Sequence, residues 1–492
     1  MNLSTLCYPY ADLGDHFYQR IAPEPVQQPD LIVFNQTLAG QLGLSDTPLL
    51  GAPPQQVFSG NTLPEGIEPL AMVYAGHQFG HFNPGLGDGR AVLLAQLRDG
   101  EGRLFDIQLK GSGRTRFSRN GDGRSALGPV LREYLLSEAM HALGVPTTRA
   151  LAAVTTGEQV ARERLVPGGI ITRIARSFVR VGTFQYFAYH DDAASVGKLV
   201  DYMLRHHFSV PEAGQNPALH LLREVIDRQA SLIARWMQLG FIHGVMNTDN
   251  MSIVGETIDY GPCAFMDGFR FDQVYSSIDH HGRYAYSNQP NIGMWNLSRF
   301  AETLLPQLAD DEEEAVELAK TALDGYISAF QQYWIDGMRA KLGLAIRHAE
   351  DKTLVDDWLK LMDRQHADFT LAFYQLSQLS QQADDRDADL LALFDDDREV
   401  TAWLQRWRQR LQQENTDDEQ RQGAMQQVNP VYIPRNHQIE AVIRAAEDNN
   451  DFAPFHALLD VLQQPYQIQA DKEAYMAPPR AHEIVQQTFC GT

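Results

Sequence analysis

Glycines at Gly85, Gly87 and Gly89 run straight into a strand, a turn and a second strand that ends in a lysine, and this order constrains the fold more than any other feature. Ala91–Leu97 reads as the first strand and Asp99-Gly-Glu-Gly102 as the turn. Leu104–Lys110 alternates, with Phe105, Ile107 and Leu109 on one face and Asp106, Gln108 and Lys110 on the other. The spacing predicts a helix over 126–143, stopped by Gly144 and Pro146. A glycine cluster alone is most often a plain turn, and no Gly-Lys-Ser/Thr follows to make a Walker loop. Followed by a hairpin whose second strand ends in lysine, it has the order with which a kinase-type lobe covers ATP.

Such a lysine needs a carboxylate on the next helix. Glu133 and Glu138 are both candidates, and helical spacing sets Glu138 amid the stripe Leu127, Leu131, Tyr134, Leu135, which favours it as the buried partner. Basic residues crowd this region: Lys110, Arg114, Arg116, Arg119, Arg124 and Arg132 against Asp122, then Arg162, Arg164, Arg173, Arg176 and Arg180 against Glu163. In a chain of net charge −22 this reads as a polyphosphate pocket, with structural pairing to distant acids as the plainer alternative.

The third element is His243-Gly-Val-Met-Asn-Thr-Asp249-Asn250, then Ile258-Asp259-Tyr260-Gly261. A kinase catalytic loop carries an Asp two residues after its His and an Asn five beyond that Asp, followed by Asp-Phe-Gly. Here His243, Gly244 and Asn250 keep that spacing, but Val245 stands where the Asp should be and accepts no proton. Asp249 offers a carboxylate four residues later. Asn250 and Asp259 keep the oxygens that a hard divalent cation takes, Mg²⁺ or Mn²⁺ alike. The residues predict an ATP–metal site on a kinase-like scaffold that lacks the usual base.

The expected architecture is α+β, a protein-kinase-like two-lobed fold. Residues 1–70 read as an irregular, Pro-punctuated extension, 71–190 as the nucleotide-binding N-lobe, 191–360 as the C-lobe and 361–492 as a helical region. A helix is expected over 218–239, and a hairpin near Gly255. Asp384–Asp397, with seven acids and one base, reads as a solvated surface. The acidic balance argues against nucleic acid and anionic membrane surfaces as partners. No basic leader, no apolar run near 18 residues and only three cysteines lead to a cytoplasmic, reducing setting as the expectation. A monomer is expected.

At these residues the chain resembles the selenoprotein O (SelO) family of pseudokinases. The likeness spans nearly the whole chain and includes Tyr74-Ala-Gly-His-Gln-Phe-Gly80, Gln108-Leu-Lys-Gly-Ser-Gly-Arg114, Gly121-Asp-Gly-Arg124, His243–Asn250 and Asn429-Pro-Val-Tyr-Ile-Pro-Arg-Asn-His437. The resemblance implies a protein adenylyltransferase that binds ATP reversed relative to kinases and modifies hydroxyl side chains of protein substrates. Carried over by position, Gly87, Gly89, Arg90 and Lys110 bind nucleotide phosphates, Asp122 and Gly123 cradle the nucleoside, and Arg173 and Arg180 hold the terminal phosphates. Asp249 becomes the proton acceptor, Asn250 and Asp259 the metal ligands, and Glu133, against the stripe argument, the lysine partner. Many members end in a redox cysteine or selenocysteine pair. This chain ends Phe-Cys490-Gly-Thr, so a regulatory Cys263–Cys490 disulfide and two unpaired thiols both stand as readings. UMP transfer from UTP, a phosphotransferase using Asp249, and a non-catalytic ATP-binding scaffold are the alternatives.

Overall fold

The computed structural model describes residues 6–44, 52–485 and Thr488. Its strands are β1 (Leu6–Cys7), β2 (Tyr18–Arg20), β3 (Leu31–Phe34), β4 (Leu70–Met72), β5 (Gly76–Gln78), β6 (His81–Asn83), β7 (Ala91–Arg98), β8 (Leu104–Lys110), β9 (Ser125–Ala126), β10 (Arg149–Ala161), β11 (Leu165–Ala175), β12 (Phe241–Ile242) and β13 (Ala264–Phe265). The helices that position the site are α1 (Gln36–Gln41), α2 (Pro54–Phe58), α3 (Leu127–Ala142), α4 (Val181–Tyr189), α5 (Ala193–His207), α6 (Pro217–Gln238), α7 (Gln289–Leu308) and α8 (Glu312–Lys341). Seven further helices, α9 to α15, lie between Asp351 and Leu462 among the described residues. The architecture is α+β.

One antiparallel sheet runs β2-β4-β7-β8-β11-β10-β3, with β1 on β7 and β9 on β11. The first seventy residues are therefore woven into it, supplying β1, β2 and β3 and starting β4, rather than forming an irregular layer upon it. The reason is burial on both faces. Val92, Leu94, Ile107 and Leu109 pack against Leu38 of α1 and Val57 and Phe58 of α2. Leu93, Leu104 and Ile171 face the α3 side with Leu127 and Leu131. Burying each such large apolar side chain contributes about 1.5–3 kcal/mol.

The polar face predicted for β8 is consequently covered. Asp106 and Gln108 are both buried. Asp106 accepts from Gln96 Nε2 at 2.6 Å and from the Phe178 backbone N–H at 2.8 Å, which replaces the lost water.

Helix α6 starts at Pro217, preceded by Asn216, whose side chain accepts from the Leu219 N–H, and it ends before Gly240 at φ +69°. It packs against α7 and α8. The hairpin expected near Gly255 does not form. Residues 252–257 make turns and isolated bridges, Arg180 with Ser252 and Thr147 with Thr257, because their backbone is used to bind the N-terminal half. The strand pair after α6 is instead β12 with β13. Helices α14 (Asn436–Asn449) and α15 (Ala453–Leu462) return to back α3, and Glu447 Oε1 accepts from the Gly128 N–H at 3.1 Å. Among the described residues, no helix is long and apolar enough to cross a membrane.

Candidate active site

Lys110 stands at the end of β8, paired with Ala91 of β7 on one side and Ile171 of β11 on the other. Its Nζ lies 2.7 Å from Glu133 Oε2 and 3.0 Å from Asp259 Oδ1. Arg173, two residues along β11 from Ile171, reaches Glu133 at 3.1 Å and Asp259 at 2.7 Å. Arg180, at the start of α4, closes on the other Asp259 oxygen at 3.2 Å. Three cations thus share two carboxylates by direct ion pairs, with the buried carboxylates of Asp88 and Asp249 in the same wall.

Burial alone would raise the Asp259 carboxyl, but Lys110, Arg173 and Arg180 outweigh it and hold it well below the usual range. Glu133 is likewise held low by Lys110 and Arg173 against its burial. Asp259 sits at φ +60°, a strained backbone for a non-glycine residue. His243 steadies that segment, donating from Nε2 to the Ile258 carbonyl at 2.9 Å.

Glu138, favoured by the helical stripe, does not meet Lys110. It takes both Arg149 Nε (2.8 Å) and Nη2 (2.7 Å), and Asn35 Nδ2 at 2.8 Å. Helical spacing misplaces the partner because α3 is buried nearly all round: Glu133 is 4% exposed and Glu138 7%. With no solvent face, periodicity cannot rank the two.

Asp249 lies beside the cluster. Its backbone carbonyl accepts from Arg180 Nη1 at 2.8 Å, and its Oδ2 from Gln78 Nε2 at 3.3 Å. Its Oδ1 is buried without a hydrogen-bond partner. Burial pushes the carboxyl up to about 6, only partly opposed by Arg180 and by the Gln78 hydrogen bond. Such a carboxylate is suited to taking a proton near neutral pH.

The β5–β6 hairpin lies over this loop. The His77 N–H donates to Thr248 Oγ1 at 2.7 Å, and the Phe79 N–H to Asn247 Oδ1 at 3.0 Å. A Cβ on Gly76 would overlap Asp249 Oδ1, so glycine there lets the hairpin come down on the carboxylate. Gln78, Asn247 and Thr248 carried no predicted role, although the strings Tyr74–Gly80 and His243–Asn250 contain them. The signal was present; what it positions shows only when the two segments are seen in contact.

A cavity of about 710 Å³ opens above these groups. Gly87, Gly89, Arg90, Lys110, Asp122, Gly123, Arg173, Arg180, Asp249, Asn250 and Asp259 all line it, so every predicted nucleotide, catalytic and metal residue meets one space. Two glycines serve a contact within the chain: a Cβ on Gly87 would overlap the Phe117 ring, and one on Gly89 would come within 2.9 Å of the Phe117 carbonyl. Asp122 is held by Arg162 Nη1 at 2.8 Å. Other arginines of the basic clusters pair structurally. Arg132 binds the Gly261 and Cys263 carbonyls, and Arg164 pairs with Glu447 and Asp448.

For a divalent cation the donor set is chemically apt. Asn250 commits its amide nitrogen to the Val245 carbonyl at 3.0 Å, which leaves its oxygen for another ligand. Asp259 supplies a carboxylate now shared by cations. No cluster of three or more His, Cys, Asp or Glu forms a closed metal cage among the described residues. Two protein oxygens with the remaining ligands from phosphate and water is how Mg²⁺-type ions bind beside nucleotides.

A family model described as protein adenylyltransferase SelO matches residues 4–463. The chain belongs to the SelO family. Proteins named protein nucleotidyltransferase YdiU from Rhizobium meliloti (strain 1021) and Rhodopseudomonas palustris (strain HaA2) are each 54% identical over 483 residues, covering 98% of this chain and 98% of each relative. A protein of the same name from Bradyrhizobium sp. (strain BTAi1 / ATCC BAA-1182) matches to the same extent, 54% over 483 residues. This SelO-family chain is an enzyme, a nucleotidyltransferase. Of the two cysteines weighed for a disulfide, Cys490 lies outside the described residues. Cys263 is fully buried, and burial pushes its thiol up to about 12, the character of an unreactive thiol.

Proposed function

We propose that the chain is a protein adenylyltransferase that moves AMP from ATP to Ser, Thr or Tyr hydroxyls of other proteins, on a kinase-like two-lobed scaffold holding the nucleotide reversed. The observation that carries this reading is Asp249: a buried carboxylate with one uncommitted oxygen, beside the cationic donors Lys110, Arg173 and Arg180, in a loop where Val245 stands at the position of the kinase base.

The acceptor hydroxyl attacks the α-phosphorus while its proton passes to Asp249. The bond from the α-phosphorus to the bridging oxygen breaks, and pyrophosphate leaves with that oxygen. Lys110, Arg173 and Arg180 turn from Asp259 toward the phosphates and take up the charge on the leaving group. Asn250 and Asp259 would hold a divalent cation, which would supply further neutralisation of the phosphate charge. Gly87, Gly89 and Arg90 hold phosphates, and Asp122 and Gly123 face the nucleoside. Glu133 keeps Lys110 in place.

ATP labelled at the α- or the γ-phosphate tests this directly. The reading requires α-label on an acceptor protein and none from γ. Label from γ alone would make the chain a kinase, and binding without transfer a scaffold. Transfer from α-labelled UTP in preference to ATP would make it a uridylyltransferase.

A further inference from the structure

A second cavity lies outside the candidate active site. It encloses about 380 Å³, and its wall includes Arg176, His207, Asp227, Arg228, Gly255 and Tyr333. At roughly 30 Å³ per water it has space for about a dozen waters, the scale of a small hydrated ion.

The wall holds polar groups left unsatisfied. His207 is 7% exposed, and neither of its ring nitrogens has a hydrogen-bond partner. Buried polar atoms of this kind carry a desolvation penalty. Arg176 Nε is also buried and without a partner, while its guanidinium lies 5.3 Å from the centre of the Phe105 ring. Arg228 stacks on Phe208 at 3.8 Å and donates to the carbonyls of His207 (3.0 Å) and Val254 (3.4 Å).

The nearby acids do not neutralise these cations by direct pairing. Asp227 accepts from the Tyr333 hydroxyl at 2.9 Å. Glu256 accepts from the Arg176 backbone N–H at 3.0 Å, and burial pushes its carboxyl up to about 8, so near neutral pH much of it is uncharged. Burial lowers Arg176, Arg228 and His207 alike; Glu256 opposes the shift at Arg176 and Glu224 at Arg228, while Arg176 and the other nearby cations add to it at His207.

We propose that this cavity binds a small phosphoryl oxyanion, inorganic phosphate or pyrophosphate, between Arg176, Arg228 and His207. Two guanidinium groups match tetrahedral oxyanions through paired donors, and the imidazole offers an N–H in either charge state. The site is separate from the main cleft yet close to it in sequence: Arg176 stands four residues before Arg180, and Gly255 four before Asp259.

The test is calorimetric titration of the full chain with phosphate and, separately, with pyrophosphate at constant ionic strength, comparing wild type with Arg176→Gln and Arg228→Lys. Neither substitution touches the residues placed in the main cleft, so any binding they remove belongs to the second cavity. At least a tenfold loss of affinity for one of the two ions in both variants is expected, and which ion is affected identifies the occupant. A crystal soaked with tungstate should show an anomalous peak between Arg176, Arg228 and His207. Unchanged isotherms in both variants, or a tungstate map with peaks in the main cleft alone, would overturn the proposal. Should Arg228→Lys fail to fold, Arg176→Gln and the tungstate map decide.

Discussion

One Arg180 nitrogen, Nη1, donates both to Asp259 Oδ2, at 3.2 Å, and to the backbone carbonyl of Asp249, at 2.8 Å. The guanidinium lies over the Tyr74 ring at 4.4 Å and is 3% exposed. It therefore links the proposed base, the proposed metal ligand and the chain entering the β5–β6 hairpin.

Arg180→Lys should lower the AMP-transfer rate on the order of 10²–10³-fold, as removal of one charge-stabilising donor does elsewhere. Lysine keeps the charge but loses the fork that spans two acceptors. Steady-state kinetics with α-labelled ATP check this, and wild-type rates in Arg180→Lys would remove the residue from the proposed chemistry.

Glu133→Gln and Glu138→Gln should separate cleanly. The first unties Lys110 and Arg173 and should weaken ATP binding about tenfold or more. The second breaks the buried Glu138–Arg149 pair, which costs on the order of 3–5 kcal/mol. It should lower the melting temperature with little change in ATP affinity. Calorimetry and thermal melts on both variants distinguish the roles.

Asp249 acts in its unprotonated form. With its carboxyl near 6 in the nucleotide-free protein, kcat/KM for ATP should fall as pH drops through about 6 and level off above it. Asp249→Asn should abolish transfer at every pH while ATP still binds. A profile with no limb near pH 6 would assign the proton to another group.

Asp259→Ala removes a carboxylate from between three cations. The wall loses a negative charge that faces the phosphates, so metal-free ATP should bind as well as before or more tightly. Transfer should be lost with both Mg²⁺ and Mn²⁺. Retained activity with ordinary metal dependence would exclude Asp259 as a ligand.

Gly76→Ala places a methyl group against the Asp249 carboxylate. Displacing a reacting group by about 1 Å can cost 10²-fold, so a loss of that order in kcat is expected. The melting temperature should move by only a few degrees. An active Gly76→Ala enzyme would show that the hairpin does not hold the carboxylate in place.

Much of this was legible along the chain, because it depends on neighbours in sequence. Strand alternation and turn glycines located β7 and β8, and helix signals brought α3 and α6 within one residue at each end. The spacing from His243 to Asn250 singled out Val245 and Asp249 without any fold, since the substitution of valine for a carboxylate is a fact of composition at one position. Other features depended on which segments meet. Periodicity could not choose Glu133 over Glu138, because helices from the C-terminal region cover the face that would otherwise have been solvent. Residues 1–70 read as irregular because their strands are short edge pieces, ordered by pairing with β7, β4 and β10 rather than by their own pattern. The grip of Arg173 and Arg180 on Asp259 was likewise invisible: residues 79 and 86 positions apart become neighbours only when burial makes an unpaired charge costlier than the ordering needed to pair it.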